Sequence, residues 1–300
     1  MLKVAWSSIY AHSLPVGHRF PMEKYNLIPE QLLYEGTLRP DNFFAPEPVS
    51  EALLLATHEA AYWQRLKTLQ LTPSEIRKTG FPLSASLVNR EVCIAQGTIQ
   101  ASLFALQYGI GMNIAGGTHH AFTNRGEGFC LLNDIAMAAN YLLINDLVKQ
   151  IMVVDLDVHQ GNGTAQIFRN QPAVFTFSMH GASNYPLHKE VSDLDIPLPD
   201  HTADQPYLAL LDTTLKRLIQ EVQPDFLFYL SGVDVLASDK LGRLSLTREG
   251  CRKRDWLVLE VCKANRIPVA VSMGGGYSER LADIVEAHAN TYRLAQEIFF

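Results

Sequence analysis

Asp155-Leu156-Asp157-Val158-His159 follows the apolar run Ile151-Met152-Val153-Val154 and sets three potential ligands at alternate positions. Alternate side chains of a β-strand share a face, so Asp155, Asp157 and His159 are expected to point one way. Strand residues two apart are separated by about 6–7 Å, a gap that bent Asp and His side chains can close on one ion. Two carboxylates and an imidazole form a mixed O/N set that suits zinc or a similar divalent metal. A helix cap or turn after a buried strand competes with this reading, because Asp is common there.

Catalytic zinc usually has three protein ligands and an open position. Asp157 and His159 supply two, and Asp234, in Ser231-Gly232-Val233-Asp234, is the choice for the third. Asp239 reads instead as a turn cap. Asp155 is better suited to orient a histidine, or to hold a structural cation through its carboxylate and backbone carbonyl. The tandem His119-His120 follows Gly116-Gly117, and only a tight glycine bend lets two adjacent rings face one pocket. Beside a metal strand, the pair suggests proton transfer from water to a leaving amine. In Gly274-Gly275-Gly276-Tyr277 the glycines let the backbone approach the pocket closely. The phenol beyond them would be a donor to a tetrahedral oxyanion. A phosphate-cradling loop is excluded there by the missing Lys and Ser/Thr of a P-loop.

These residues need a common edge. Six apolar, β-rich runs are expected to be strands: Leu2–Trp6, Gly111–Ala115, Ile151–Leu156, Ala173–Phe177, Phe226–Leu230 and Val269–Ser272. Helical patterns fall near 86–108, 131–145, 206–222, 247–265 and 278–297. Continuous apolar strands alternating with amphipathic helices predict an α/β fold, a mostly parallel central sheet with helices on both faces. Open α/β sheets bind ligands at the carboxyl ends of their strands. Five of the six runs end there in reactive or permissive residues, including Ser178-Met179-His180 after the fourth. The Pro-rich stretches at 40–48 and 186–206 are expected to be ordered loops, so residues 1–300 are read as a single domain.

Composition narrows the function classes. Three hundred residues, 47% of them hydrophobic, can bury a large core. No apolar run approaches the ~18–20 residues of a membrane span. The N-terminus reads as a first strand and not as a secretory signal. Charge is −6 and dispersed, and Arg252-Lys253-Arg254 reads as a solvated helix face, so no nucleic-acid binding is expected. The four cysteines show no CxxC spacing and look like intracellular thiols. A cytoplasmic protein without membrane association is the expectation.

Together, His119-His120, Gly128-Phe129-Cys130, Asp155-x-Asp157-x-His159-x-Gly161-Asn162-Gly163, Ser231-Gly232-x-Asp234 and Gly274-Gly275-Gly276-Tyr277 occur in the order seen in the histone deacetylase superfamily. That superfamily also contains acetylpolyamine amidohydrolases and acetoin-utilisation proteins. The resemblance runs from about residue 10 to the last helix, and Asp-Leu-Asp-Val-His-Gln-Gly-Asn-Gly looks closest to the class IV branch with its bacterial relatives. It implies the arginase/deacetylase fold and a zinc-dependent amidohydrolase, tolerant of iron(II), acting on an acyl-lysine peptide or an acylated small amine. By position, Asp157, His159 and Asp234 match the metal ligands and Tyr277 the carbonyl-polarising tyrosine. His120 matches the principal base and acid, with His119 its electrostatic partner and Asp155 the carboxylate behind it. Phe129 and Tyr185 would wall a narrow channel, the Gly128 carbonyl would accept the substrate amide N–H, and Gly275 would border the substrate. The backbone around Asp155 and Ser178 resembles the family's potassium site.

This chain departs from the pattern twice. Asn162 stands behind the second histidine where many members carry Asp, which should leave that histidine less basic; the class IV branch shares the feature. No counterpart of the rim aspartate that grips peptide backbone in some relatives occurs between 75 and 95. The class IV branch is associated with longer fatty-acyl substrates, so acetyl is not the only candidate group. The alternatives are a catalytically weak acyl-lysine or polyamine binding protein and an arginase-like ureohydrolase.

Overall fold

The computed structural model describes residues 1–300. Its strands are β1 (Lys3–Ala5), β2 (Phe43–Phe44), β3 (Ile110–Asn113), β4 (Ile151–Asp155), β5 (Val174–Gly181), β6 (Leu194–Leu198), β7 (Phe226–Ser231) and β8 (Val269–Met273). All pair in parallel in one sheet of order β2-β1-β3-β8-β7-β4-β5-β6. The helices are α1 (Lys24–Tyr34), α2 (Glu51–Leu55), α3 (Ala60–Lys67), α4 (Pro73–Thr79), α5 (Ala85–Tyr108), α6 (Asp134–Ile144), α7 (Asn162–Phe168), α8 (Asp204–Val222), α9 (Arg248–Asn265) and α10 (Leu281–Phe299). None is long and apolar enough to cross a membrane.

A parallel sheet needs cover on both faces, so its central strands must be apolar throughout. Every residue of β3, β8, β7 and β4 is buried. These four are neighbours, and the loops leaving their carboxyl ends carry residues 116–120, 274–277, 232–234 and 156–159. Register aligns the ends: Asp155 pairs with Leu230 on one side and Ser178 on the other, and Ser231 pairs with Met273. Capping fixes the helices that cover them. Ser84 Oγ accepts from Leu87 N at the start of α5, and Thr247 Oγ1 accepts from Gly250 N at the start of α9.

Several expectations need correction. The fourth strand runs on through Ser178 and His180, because pairing with β6 carries it to Gly181. Both Pro-rich loops contain edge strands, β2 and β6, and α1–α4 and α7 were not foreseen. β4 stops at Asp155, and residues 157–159 form a bend. Asp155 Oδ1 accepts from Asp157 N at 3.1 Å, and Asp157 Oδ1 from His159 N at 3.0 Å. Side chain-to-backbone turns of this kind compete with strand pairing, so successive turns, not strand alternation, aim these side chains. The basic cluster lies on a helix as expected but is solvated only in part: Arg252 is partly exposed and Lys253 exposed, whereas Arg254 has no exposed surface.

Candidate active site

The bend after β4 sends Asp155 and its two successors to different partners. Asp155 Oδ2 lies 2.6 Å from His119 Nδ1. His159 Nδ1 lies 3.0 Å from Asp157 Oδ1 and 3.2 Å from Asp234 Oδ2. Asp157, His159 and Asp234 present ligand atoms that all fall within 4.8 Å of one another. The loops lock together here: Val158 N donates to Asp234 Oδ1 at 3.0 Å, and Gly275 N to Asp157 Oδ2 at 2.7 Å. A Cβ on Gly275 would stand 1.9 Å from Asp234 Oδ2, so only glycine fits.

These residues suit a divalent cation. Asp234 Oδ2 is buried and no hydrogen bond satisfies it, although His159 Nδ1 lies 3.2 Å away. Burial and the neighbouring Asp157 charge raise the Asp234 carboxyl above its ordinary range. Burial would depress His159, but its hydrogen bond to Asp157 and the charge of the adjacent Asp234 carboxylate outweigh that and raise it. Crowded carboxylates holding an unfilled acceptor are what a bound cation would stabilise.

The tandem histidines sit in different environments. Burial would lower the His119 pKa, but the Asp155 carboxylate beside it raises it. His120 has only Asn162, whose Oδ1 lies 2.7 Å from its Nδ1. Burial, then the charges of His119 and His159, hold His120 well below the ordinary imidazole value. Asn162 therefore accepts the Nδ1 proton and leaves Nε2 of a neutral ring as a proton acceptor. The loop that carries both rings is pinned by Asp134, whose Oδ1 accepts from Thr118 N at 2.9 Å.

A cavity of about 660 Å³ passes these groups. Phe129, at φ +67°, packs at a tilt against Phe81 and Tyr277, with ring centroids 5.1 and 5.9 Å away. Gly128, at φ +52°, has no room for a Cβ, which would meet His120 Cδ2 at 2.7 Å. Tyr185 stands edge-on to His120 at 4.9 Å and donates from its hydroxyl to Glu127 Oε2 at 2.6 Å. Burial, with Asp234 and Asp157 nearby, raises the Tyr277 pKa, so its phenol keeps its proton. Asp239 does cap a turn, accepting from Leu241 and Gly242, and it also accepts from Tyr277 N at 2.5 Å. Ser178 lies beside Asp155 across β4 and β5, with its Oγ 2.9 Å from His180 Nδ1.

Sequence reasoning missed Lys24 and Arg90, two buried cations lining the inner cavity. Lys24 Nζ donates to Gly274 O at 3.2 Å, and burial lowers its pKa to about 8. Arg90 pairs with Glu91. A lysine on a surface-type helix carries no one-dimensional sign of burial.

The histone deacetylase domain matches residues 18–292. An uncharacterized protein of Picosynechococcus sp. is 42% identical over 296 residues, covering 99% of each chain. Histone deacetylase 2 of Arabidopsis thaliana is 28% identical over 296 residues, covering 93% of this chain and 76% of that protein. Among solved structures, an HDAC homolog complexed with SAHA superposes with a TM-score of 0.84 at 23% identity, covering 98% of this chain and 83% of that one.

Proposed function

The chain belongs to the histone deacetylase family, and on that premise we propose that it is a divalent metal-dependent amidohydrolase that removes an acyl group from a lysine-like amine. The observation that carries this proposal is the Asp157, His159 and Asp234 group, its two carboxylates buried and one carboxylate oxygen unsatisfied, near a neutral His120 and a protonated Tyr277. Asp157, His159 and Asp234 would hold zinc or iron(II). Such an ion supplies Lewis acidity that polarises an acyl carbonyl and acidifies water.

The remaining chemistry belongs to the chain. Phe129 and Tyr185 flank the alkyl stem of the substrate, and the Gly128 carbonyl accepts its amide N–H. Water adds to the acyl carbon as its proton passes to His120 Nε2. The Tyr277 phenol donates to the oxyanion. The C–N bond then breaks as His120 returns the proton to the amine nitrogen, leaving a carboxylic acid and an amine. The acid's proton passes to the amine, giving carboxylate and ammonium products. His119, whose pKa Asp155 raises, would lend positive potential beside this transfer. Asp155 and Ser178 are the proposed surroundings of a structural potassium ion. Membership of the deacetylase family favours this chemistry over the ureohydrolase alternative.

Tyr277→Phe is expected to lower kcat about 10²- to 10³-fold with KM nearly unchanged, because its donor acts mainly in the transition state. Steady-state kinetics on an acyl-lysine peptide checks this; a loss confined to KM would make Tyr277 a simple substrate contact. Asn162→Asp puts a carboxylate behind His120 and stabilises its charged form. A base works only when deprotonated, so kcat/KM falls as pH drops through the His120 pKa. In the natural protein that acid limb should lie below the ordinary imidazole range, and the Asp variant should move it upward by about 1–3 pH units. An unmoved limb in the pH–rate profile would assign the base elsewhere.

A further inference from the structure

Arg254 sits in α9 with 0% of its side chain exposed, as does its neighbour Asp255. Its Nη1 donates to Leu156 O at 3.2 Å and to Gly232 O. Leu156 lies between Asp155 and Asp157, and Gly232 lies two residues before Asp234. One guanidinium nitrogen thus bridges the backbones of the two loops that carry all three candidate metal ligands. The other two nitrogens, Nε and Nη2, donate to Asp255 Oδ1 at 2.9 and 2.7 Å. Asp255 also accepts from Tyr229 on β7 at 2.5 Å and from Thr291 on α10 at 2.6 Å. The guanidinium is therefore held by a carboxylate that β7 and α10 fix in turn, while it grips two loops.

Stability alone is a poor reason for such a pair. Burying two charges costs desolvation, and well-packed apolar replacements are often as stable or more so. A planar fork with donors in fixed directions does something apolar packing cannot: it sets the spacing between separate backbone carbonyls. The same loops also meet directly, Val158 N donating to Asp234 Oδ1 at 3.0 Å. Arg254 adds a second link between them, through their backbone carbonyls.

We propose that Arg254, held by Asp255, is a positioning residue for the metal centre, fixing the 156–159 and 232–234 loops so that Asp157 and His159 stay at ligating distance from Asp234. The proposal rests on the metal-centre reading above. Partners behind metal ligands typically carry about 10- to 100-fold in affinity, and the same range is expected here.

The test uses the full chain with Arg254→Met/Asp255→Asn, which removes both charges at similar volume, and Arg254→Lys, which keeps the charge but lacks the planar fork that spreads donors over the carbonyls and Asp255. Zinc affinity is measured by titration against a competing chelator, with circular dichroism and metal-free thermal unfolding as fold controls. The double variant should fold and bind zinc about 10- to 100-fold more weakly, with kcat reduced and KM held within about twofold. Arg254→Lys should fall between it and the natural protein. Natural zinc affinity in the folded double variant would overturn the proposal. If the double variant does not fold, natural affinity in Arg254→Lys would overturn it. A natural protein that takes up no divalent ion would sink the metal-centre reading and this inference together, and that arm is read first.

Discussion

His120→Ala is expected to lower kcat by about 10²- to 10⁴-fold, the range typical of a positioned acid–base group, while the protein keeps its metal. The two effects should separate because His120 takes no part in the Asp157, His159 and Asp234 group. Its Nδ1 is committed to Asn162, and burial with two neighbouring imidazoles keeps the ring neutral. Only Nε2 is left to move a proton. His119→Ala removes a ring whose charged form Asp155 favours, so it should cost less, through lost potential and not a lost base. Turnover and elemental analysis of each variant check the pair. His120→Ala with natural kcat would remove it from the mechanism, and metal loss in that variant would make it a ligand.

Asp234→Asn should weaken zinc binding by more than 100-fold, beyond the 10- to 100-fold usual for a partner behind a ligand, and activity at ordinary zinc levels should vanish with it. The substitution keeps an oxygen for Val158 N, so the loop need not collapse. Metal-free stability should move the other way. The Asp234 carboxyl is raised in the fold by burial and Asp157. A carboxyl with a raised folded pKa binds more protons folded than unfolded, so it costs stability above its unfolded pKa, with the cost complete above its folded pKa. The Asn variant should therefore melt no lower than the natural protein without metal, yet lose the zinc-induced rise in Tm that binding to the native state produces. Thermal unfolding with and without zinc reads both signs. A variant that still gains Tm from zinc would reject Asp234 as a ligand.

The chemistry was legible because its residues are rare types at short spacings, placed where apolar runs stop. Asp157, His159, Asp234, the tandem histidines and Tyr277 all lie on loops leaving four adjacent, fully buried strands. The reason given for the aspartate motif was incorrect: strand alternation was expected, but Asp155 ends the strand and turns orient the rest. Edge elements escaped because they are short or interrupted. β2 has two residues, and β6 carries Pro197, which an edge strand tolerates. Pro29 likewise hides α1. Lys24 and Arg254 were invisible for another reason. A charged residue in a helix ordinarily faces water, and only the tertiary fold shows that one holds Gly274 and the other two ligand loops.

Hydrolysis of lysine peptides bearing acetyl through long fatty-acyl groups, followed before chelation, after it and after zinc is restored, addresses the amidohydrolase reading most directly. Turnover should disappear on chelation, return with zinc and be nearly absent in Tyr277→Phe, with the best acyl length sizing the cavity. Turnover indifferent to chelation would contradict the metal-dependent mechanism. Metal-loaded protein that binds acyl-lysine and acylated polyamines but cleaves none of them would mark a binding protein built on the deacetylase fold.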